Sequence, residues 1–467
     1  MIIWLVVLFI GMVVLGLWAG RGVRDLQSFA LSRGYFGPIA IASTIVASGI
    51  GGGVVVGMAE KGYATGVGCA VCLLGFSLQL FWMGKLAPRF TQFGAPLTIG
   101  EILGAVYGKA ARIVTGVLWV AFCGGFIAVQ LSALGSLLTA YLPYSLPACA
   151  AIGAAVLLIY CSTGGIRAVV ATDIMQVAVM LLVLPALAIF AVWKIGGWGV
   201  LFESVPKAHL NPLGHLTPLQ FISVFLTFFI GDMFVPPMVQ RVVMTPSVAM
   251  AKRSFIRASW IIIPFCLVGT LLGLCTYSVD GNLSPSGSIP YLLEVILPGG
   301  MSFLAVIGLM AATLSTADSY LHAASVAIVR DLLFPILRVK EDSMWGLLWV
   351  RLSTVGIGGV ALILAAQGSG AIDLLLHTFS LWGPMMVVPI FALLYNRPLP
   401  KWAFFTSMGL AGVTLIVWAK LDLLDRFGIA GIMPAMAVTA LFAVVVLWGR
   451  SSPVVTWRSS PEVAAAS

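Results

Sequence analysis

Residues 311–322 read AATLSTADSYLH, and within them Ala312, Ser315, Thr316 and Ser319 recur at i, i+3, i+4 and i+7. On a helix that spacing puts all four on one face. Hydroxyls and carbonyls presented together are hard oxygen ligands, suited to a weakly bound alkali cation. The same hydroxyls can instead bond back to carbonyls of their own helix, so spacing alone leaves both readings open. Three carboxylates share these apolar surroundings: Asp173 after the run TGGIRAVVAT, Asp232 in GDMFVPP, and Asp318 in STADS. An ionisable group at membrane depth is expensive and defaults to a functional hypothesis. The structural alternatives are an interfacial pairing of Asp173 with Arg167 and a cross-helix pairing of Asp318. His322, one turn below Asp318, reads as a polar packing residue; His377, Ser380 and Trp382 read first as interior packing, with the aromatic also able to close over a solute.

Two segments can position such groups. Residues 47–53 read ASGIGGG, and each glycine costs a helix about 1 kcal/mol relative to alanine. Residues 231–237 read GDMFVPP, where two prolines remove backbone donors and clash with the preceding turn. Each alone could be close helix packing. They lie five apolar segments apart, however, and matched interruptions in two five-helix halves point to an inverted-repeat transporter. Unwound backbone there offers carbonyls to a cation and N–H groups to an anion.

The surrounding composition requires lipid. Of 467 residues 61% are hydrophobic and 9% charged, more apolar sequence than a soluble domain could bury. The net charge of +9 is spread between apolar segments rather than gathered on one element, which excludes a nucleic-acid reader. The seven cysteines have no metal-ligand spacing and read as small core residues. No nucleophile–base pair or metal motif marks an enzyme.

Apolar runs predict thirteen spans, near 2–20, 37–63, 66–86, 112–141, 146–163, 168–192, 218–240, 256–279, 301–332, 346–367, 371–395, 401–419 and 428–449. With the N-terminus outside, all of the 25 Lys and Arg except Lys61, Lys194, Lys207, Lys420 and Arg426 fall on cytoplasmic segments, Arg241 among them. The expected organisation is one transmembrane domain over residues 1–450 and a cytoplasmic tail over 451–467, in the inner or plasma membrane.

The residues from Arg24 to Leu31, the run 50–63 (IGGGVVVGMAEKGY), the run 163–176 (TGGIRAVVATDIMQ) and the run 308–331 (GLMAATLSTADSYLHAASVAIVRD) carry a resemblance. The chain resembles the sodium:solute symporter family, which includes carriers of sugars, proline, sialic acid, pantothenate and choline. The resemblance implies an all-α LeuT-like fold of ten core helices in two inverted halves, with one extra N-terminal and two extra C-terminal helices. It implies Na⁺ held by the carbonyls of Ala47, Ile50 and Ala312 and the hydroxyls of Ser315 and Thr316, with Asp173 and Ser319 linked to coupling or to a second sodium. The nearest motif match is the choline-carrier branch, but Gly49 stands where that branch has a tryptophan. Ser48, Gly49, Gly51, Gln130, Asp232, Phe234 and Trp382 are the candidate solute residues, and Asp232 favours a cationic or zwitterionic solute. The expected activity is sodium-coupled import of a small organic solute by alternating access, with no obligatory protein partner. A proton-coupled symporter of the same fold and a non-transporting solute sensor are the alternatives.

Overall fold

The computed structural model describes residues 2–448 apart from 95, 140, 214–215, 340–344 and 367–370; the side chains of 2, 4, 371–381 and 425 are also outside the description. The expected tail over 451–467, and the side chains of His377 and Ser380, therefore lie outside the described residues. The helices that build the core and its periphery are α1 (Ile2–Ala19), α2 (Pro38–Gly49), α3 (Gly52–Thr65), α4 (Gly68–Phe90), α5 (Ile99–Tyr107), α6 (Lys109–Thr139) and α7 (Leu146–Lys194). They continue with α8 (Pro218–Ile230), α9 (Pro236–Val243), α10 (Val248–Val279), α11 (Gly299–Ala327), α12 (Gly346–Ala365), α13 (Ala371–Leu394), α14 (Lys401–Lys420) and α15 (Ile432–Leu447). Among the described residues seven helices are long and apolar enough to cross a membrane, and the bent pair α2–α3 brings the number to eight. Shorter apolar helices accompany them at Leu5–Ala19, Pro218–Ile230, Trp382–Leu394 and Ile432–Leu447. The protein is a multi-pass helical membrane protein.

The 49 residues of α7 hold two of the predicted segments, 146–163 and 168–192. At 1.5 Å per residue a straight helix of that length would be more than twice the roughly 30 Å hydrocarbon thickness. It bends at Gly165, whose φ of 53° and ψ of −144° leave the helical region. The Cβ of any other residue at this position would meet the carbonyl oxygen of Phe29 at 2.7 Å. Glycine thus serves both the turn and the close approach.

Both expected interruptions are present. α2 stops at Gly49 and α3 starts at Gly52, and the two are bent by 49°. α8 stops at Ile230 and α9 starts at Pro236. The glycines of the first break act differently from the propensity argument: none of Gly49, Gly51, Gly52 or Gly53 has a positive φ. They are sites of close approach. A Cβ on Gly51 would lie 2.8 Å from Gln130 Oε1, one on Gly53 2.7 Å from Val129 Cγ1, and one on Gly52 against Thr313 Oγ1.

Small residues also seat α3 on α10. Gly269 and Gly273 of α10 meet the carbonyls of Val55 and Ala59, and Gly62 of α3 meets the backbone of Thr270. A Cβ on Gly62 would fall 2.6 Å from the Thr270 oxygen and 2.7 Å from its Cα. Backbone cannot retreat as a flexible side chain can. Gly62→Val should therefore destabilise the protein by about 1–3 kcal/mol, read as a lower thermal unfolding midpoint of the purified protein; an unchanged midpoint would contradict this packing.

Candidate functional site

The first break meets the hydroxyl face of α11. The last bond of α2 runs from the Ile50 N–H to the Val46 carbonyl (2.9 Å), and Gly51 begins a new cap. The Ala47 carbonyl instead accepts the Thr316 hydroxyl at 2.9 Å and the Ser315 hydroxyl at 3.2 Å. Ser315 also bonds its own helix at the Ala312 carbonyl, 3.1 Å away. Both readings of the serine hold at once: it back-bonds and it crosses to the break. Ala47, Ala312, Ser315 and Thr316 thereby bring two carbonyl and two hydroxyl oxygens together, all fully buried, and Ile50 lies in the same break at 1% exposure. Carbonyl and hydroxyl oxygens are hard ligands, the kind that suit a hard cation.

One turn further along α11 lies a polar hub that sequence reading missed. Arg241, counted above with the cytoplasmic charges that set topology, is fully buried. It is a side chain of the short helix α9 after the second break. Its Nη2 donates to Thr44 Oγ1 (2.9 Å) and to Ser319 Oγ (2.7 Å) and lies 4.0 Å from Asp173 Oδ2. Thr44 in turn donates to that Asp173 oxygen at 2.5 Å. Ser48 donates to Ser319 at 2.8 Å. The network joins α2 and α9, one from each broken segment, to α7 and α11. Asp173 does not pair with Arg167, whose Nε instead donates to Ser32 and whose guanidinium lies over the Tyr35 ring. Asp318 accepts the hydroxyls of Tyr160 (2.8 Å) and Thr172 (3.3 Å). The signal for Arg241 was available in principle: buried acids in spans need a cation, and Arg241 stood within a residue of a predicted span end.

The second break forms a separate wall. Asp232, 2% exposed, accepts the Tyr320 hydroxyl at 2.5 Å. Among the described residues no ion pair reaches it. The freed Met233 carbonyl accepts the indole N–H of Trp382 at 3.0 Å. Tyr320 stacks on Phe126 at 4.0 Å between centroids, and Trp119 and Phe122 continue the stack towards Trp382. Trp119, Phe122 and Phe126 follow helical spacing on α6, and Gln130 continues that face one turn further along. Gln130 Oε1 accepts the Gly53 N–H at 3.2 Å, while its Nε2 is buried without a partner.

Of the candidate solute residues, Ser48, Gly49, Gly51 and Gln130 gather at the first break, and Asp232 and Trp382 at the second. Phe234 stands apart. Its backbone has φ of 60°, which a bulky aromatic adopts only under constraint, and its ring packs on Phe90 and Phe391 at about 6 Å. His322 packs as expected, with Nε2 2.9 Å from the Phe29 carbonyl. All seven cysteines are buried and unpaired.

Paired helix breaks that converge on one long central helix define an inverted-repeat membrane transporter, and the comparisons agree. The sequence profile described as the sodium:solute symporter family matches residues 29–409. The chain belongs to the sodium:solute symporter family. It is 24% identical to the high-affinity proline transporter PutP of Bacillus subtilis, over 95% of this chain and 98% of that protein. It is 24% identical to high-affinity choline transporter 1 of Drosophila melanogaster, over 77% of this chain and 61% of that protein. Its fold is shared with a Na⁺-coupled sialic acid symporter solved in a substrate-bound outward-open state, with a TM-score of 0.71 at 16% identity over 95% and 96% of the two chains. These relatives are transporters, and the protein is not an enzyme.

Removing one partner of a buried ion pair strands the other charge, at a cost of about 3–5 kcal/mol. Arg241→Gln should lower the thermal unfolding midpoint markedly, and adding Asp173→Asn should recover part of the loss. Additive losses in the double variant would mean that the two side chains do not act as a pair.

Proposed function

We propose that the protein is a sodium-coupled symporter that imports a small organic solute by alternating access. The observation that carries this reading is the Ala47 carbonyl, free of its own helix and met by the Ser315 and Thr316 hydroxyls. Sodium replaces those two hydrogen bonds with ion–oxygen contacts from Ala47, Ile50, Ala312, Ser315 and Thr316. It thereby ties the first broken segment to α11. Asp173 and Ser319 serve coupling through Arg241, which links the same two elements just beyond the ion; the partnerless oxygens Asp173 Oδ1 and Asp318 Oδ1 would suit a second sodium.

The solute lies between the two breaks, against Ser48, Gly49, Gly51 and Gln130 on one side and Asp232 and Trp382 on the other. Among the described residues Asp232 has no cationic partner, and stacked aromatic rings flank the hydroxyl that holds it. A solute bearing an ammonium group, as a cation or a zwitterion, supplies what this wall lacks. The proline and choline transporters among its relatives carry solutes of that chemistry.

The topology we adopt has thirteen crossings, one before and two after a ten-helix core of two inverted halves. The N-terminus is outside, residues 1–450 form one domain, and 451–467 form a tail in the cytoplasm of a cell bounded by this inner or plasma membrane. Import then draws on the sodium gradient and about 2.3 kcal/mol per charge per 100 mV of membrane potential. Sodium and solute must each raise the other's affinity.

In proteoliposomes, uptake of the transported amine should require an inward sodium gradient. Ser315→Ala and Thr316→Ala should each weaken sodium activation by roughly tenfold or more, since each removes one of about five ligands. Asp232→Asn should lower solute affinity while leaving sodium binding in place. Uptake driven equally by an imposed pH gradient without sodium would replace sodium with a proton as the coupling ion.

A further inference from the structure

A cavity of about 570 Å³ opens where α5 and the start of α6 meet the chain beyond α11. Its walls include Glu101, Lys109, Arg112, Phe334 and Arg338. The acids at its base are already matched. Glu101 Oε1 accepts Arg112 at 3.1 Å and Arg330 at 2.5 Å, and its second oxygen accepts the Leu97 N–H. Asp331 accepts Arg112 at 3.3 Å and the Thr98 hydroxyl at 2.7 Å. Two acids against two arginines leave no net charge in that base. Lys109 and Arg338 are surplus: both are exposed, and neither has an acidic partner among the described residues. Lys401 brings a further cation to the residue before Lys109, with Nζ 3.2 Å from where a Cβ on Gly108 would stand.

We propose that this cavity binds the phosphate of an anionic lipid headgroup. Phosphate suits the site because two separate cations flank a rigid, internally neutral base. The lipid is favoured over a free phosphate by what adjoins the cations. Ile336 and Leu337, immediately before Arg338, are 55% and 53% exposed, and Phe334 closes the inner wall. Acyl chains lie along that apolar rim while the headgroup sits on Lys109 and Arg338. Basic pockets between membrane helices recognise anionic headgroups in this way. The solute site plays no part, and the inference stands whichever ion drives transport.

The test is a thermal unfolding titration of the full-length protein in neutral detergent with phosphatidylglycerol, phosphatidylcholine or inorganic phosphate. Phosphatidylglycerol should raise the midpoint, as any ligand of the folded state does, and the other two should not. Lys109→Gln/Arg338→Gln should shift the phosphatidylglycerol titration to roughly tenfold higher lipid. Lys252→Gln/Arg253→Gln, an exposed pair elsewhere with the same loss of charge, should leave it unchanged. An undiminished response in the Lys109/Arg338 variant, or an equal loss in the Lys252/Arg253 variant, overturns the site. Inorganic phosphate matching phosphatidylglycerol overturns the lipid assignment, and an equal response to phosphatidylcholine overturns the anion.

Discussion

The Ala47 carbonyl has no partner in its own helix, and within a bilayer an unpaired carbonyl must find one in the protein. Here it finds the Thr316 and Ser315 hydroxyls of α11. That single requirement fixes how close α2 and α11 approach and where the break in the second segment falls. It also explains the packed glycines. With α2 drawn onto α11, the start of α3 is pressed against Gln130, Val129 and Thr313, and only residues without a Cβ fit there. The break and its glycines are one arrangement: the unwound carbonyl draws the elements together, and the missing side chains let them meet.

Arg241 adds a second link between the same elements. Its guanidinium spans Thr44 of α2, Ser319 of α11 and Asp173 of α7, so both broken segments are held to the long helices through one side chain. An ammonium could not do this, because the planar fork presents several donors in fixed directions at once. Any motion of α2 or α9 away from α11 must break these bonds together. The bonds to the Ala47 carbonyl and those of the guanidinium hub therefore share a mechanical fate, since separating α2 from α11 breaks both sets.

The parts legible in the sequence were those with a local signature. The face Ala312–Ser315–Thr316–Ser319 followed from helical periodicity, and both breaks followed from glycine and proline chemistry. Arg241 was hidden because its neighbours in space, Thr44, Asp173 and Ser319, lie 197, 68 and 78 residues away. One basic residue near a span end looks the same whether it meets water or a buried acid. The glycine run was found for an incomplete reason, since propensity is a property of one helix and close approach a property of two. The orientation of Phe234 was not legible from adjacency: a residue beside an unwound Asp232 need not face the same way, and with a left-handed backbone its ring packs on Phe90 and Phe391.

Away from the breaks, the base formed by Glu101, Arg112, Arg330 and Asp331 supplies a fixed point. It joins α5, α6 and the chain beyond α11 through four charged groups, and Gly100 and Gly116 both pack against the Asp331 side chain. α6 carries the aromatic face and Gln130, and α11 carries the hydroxyl face and Tyr320. Their relative position sets the distance between the first break and the aromatic wall at the second. A pair of helices held only by apolar packing can slide by small side-chain repacking, whereas a multidentate ion network has one low-energy register. Locking α6 to α11 at one end keeps the hydroxyl face and the aromatic wall in constant relation. On that account the role of the RD pair at 330–331, where the longest of the family-like runs ends, is geometric: it anchors the helix that carries the hydroxyl face and Tyr320.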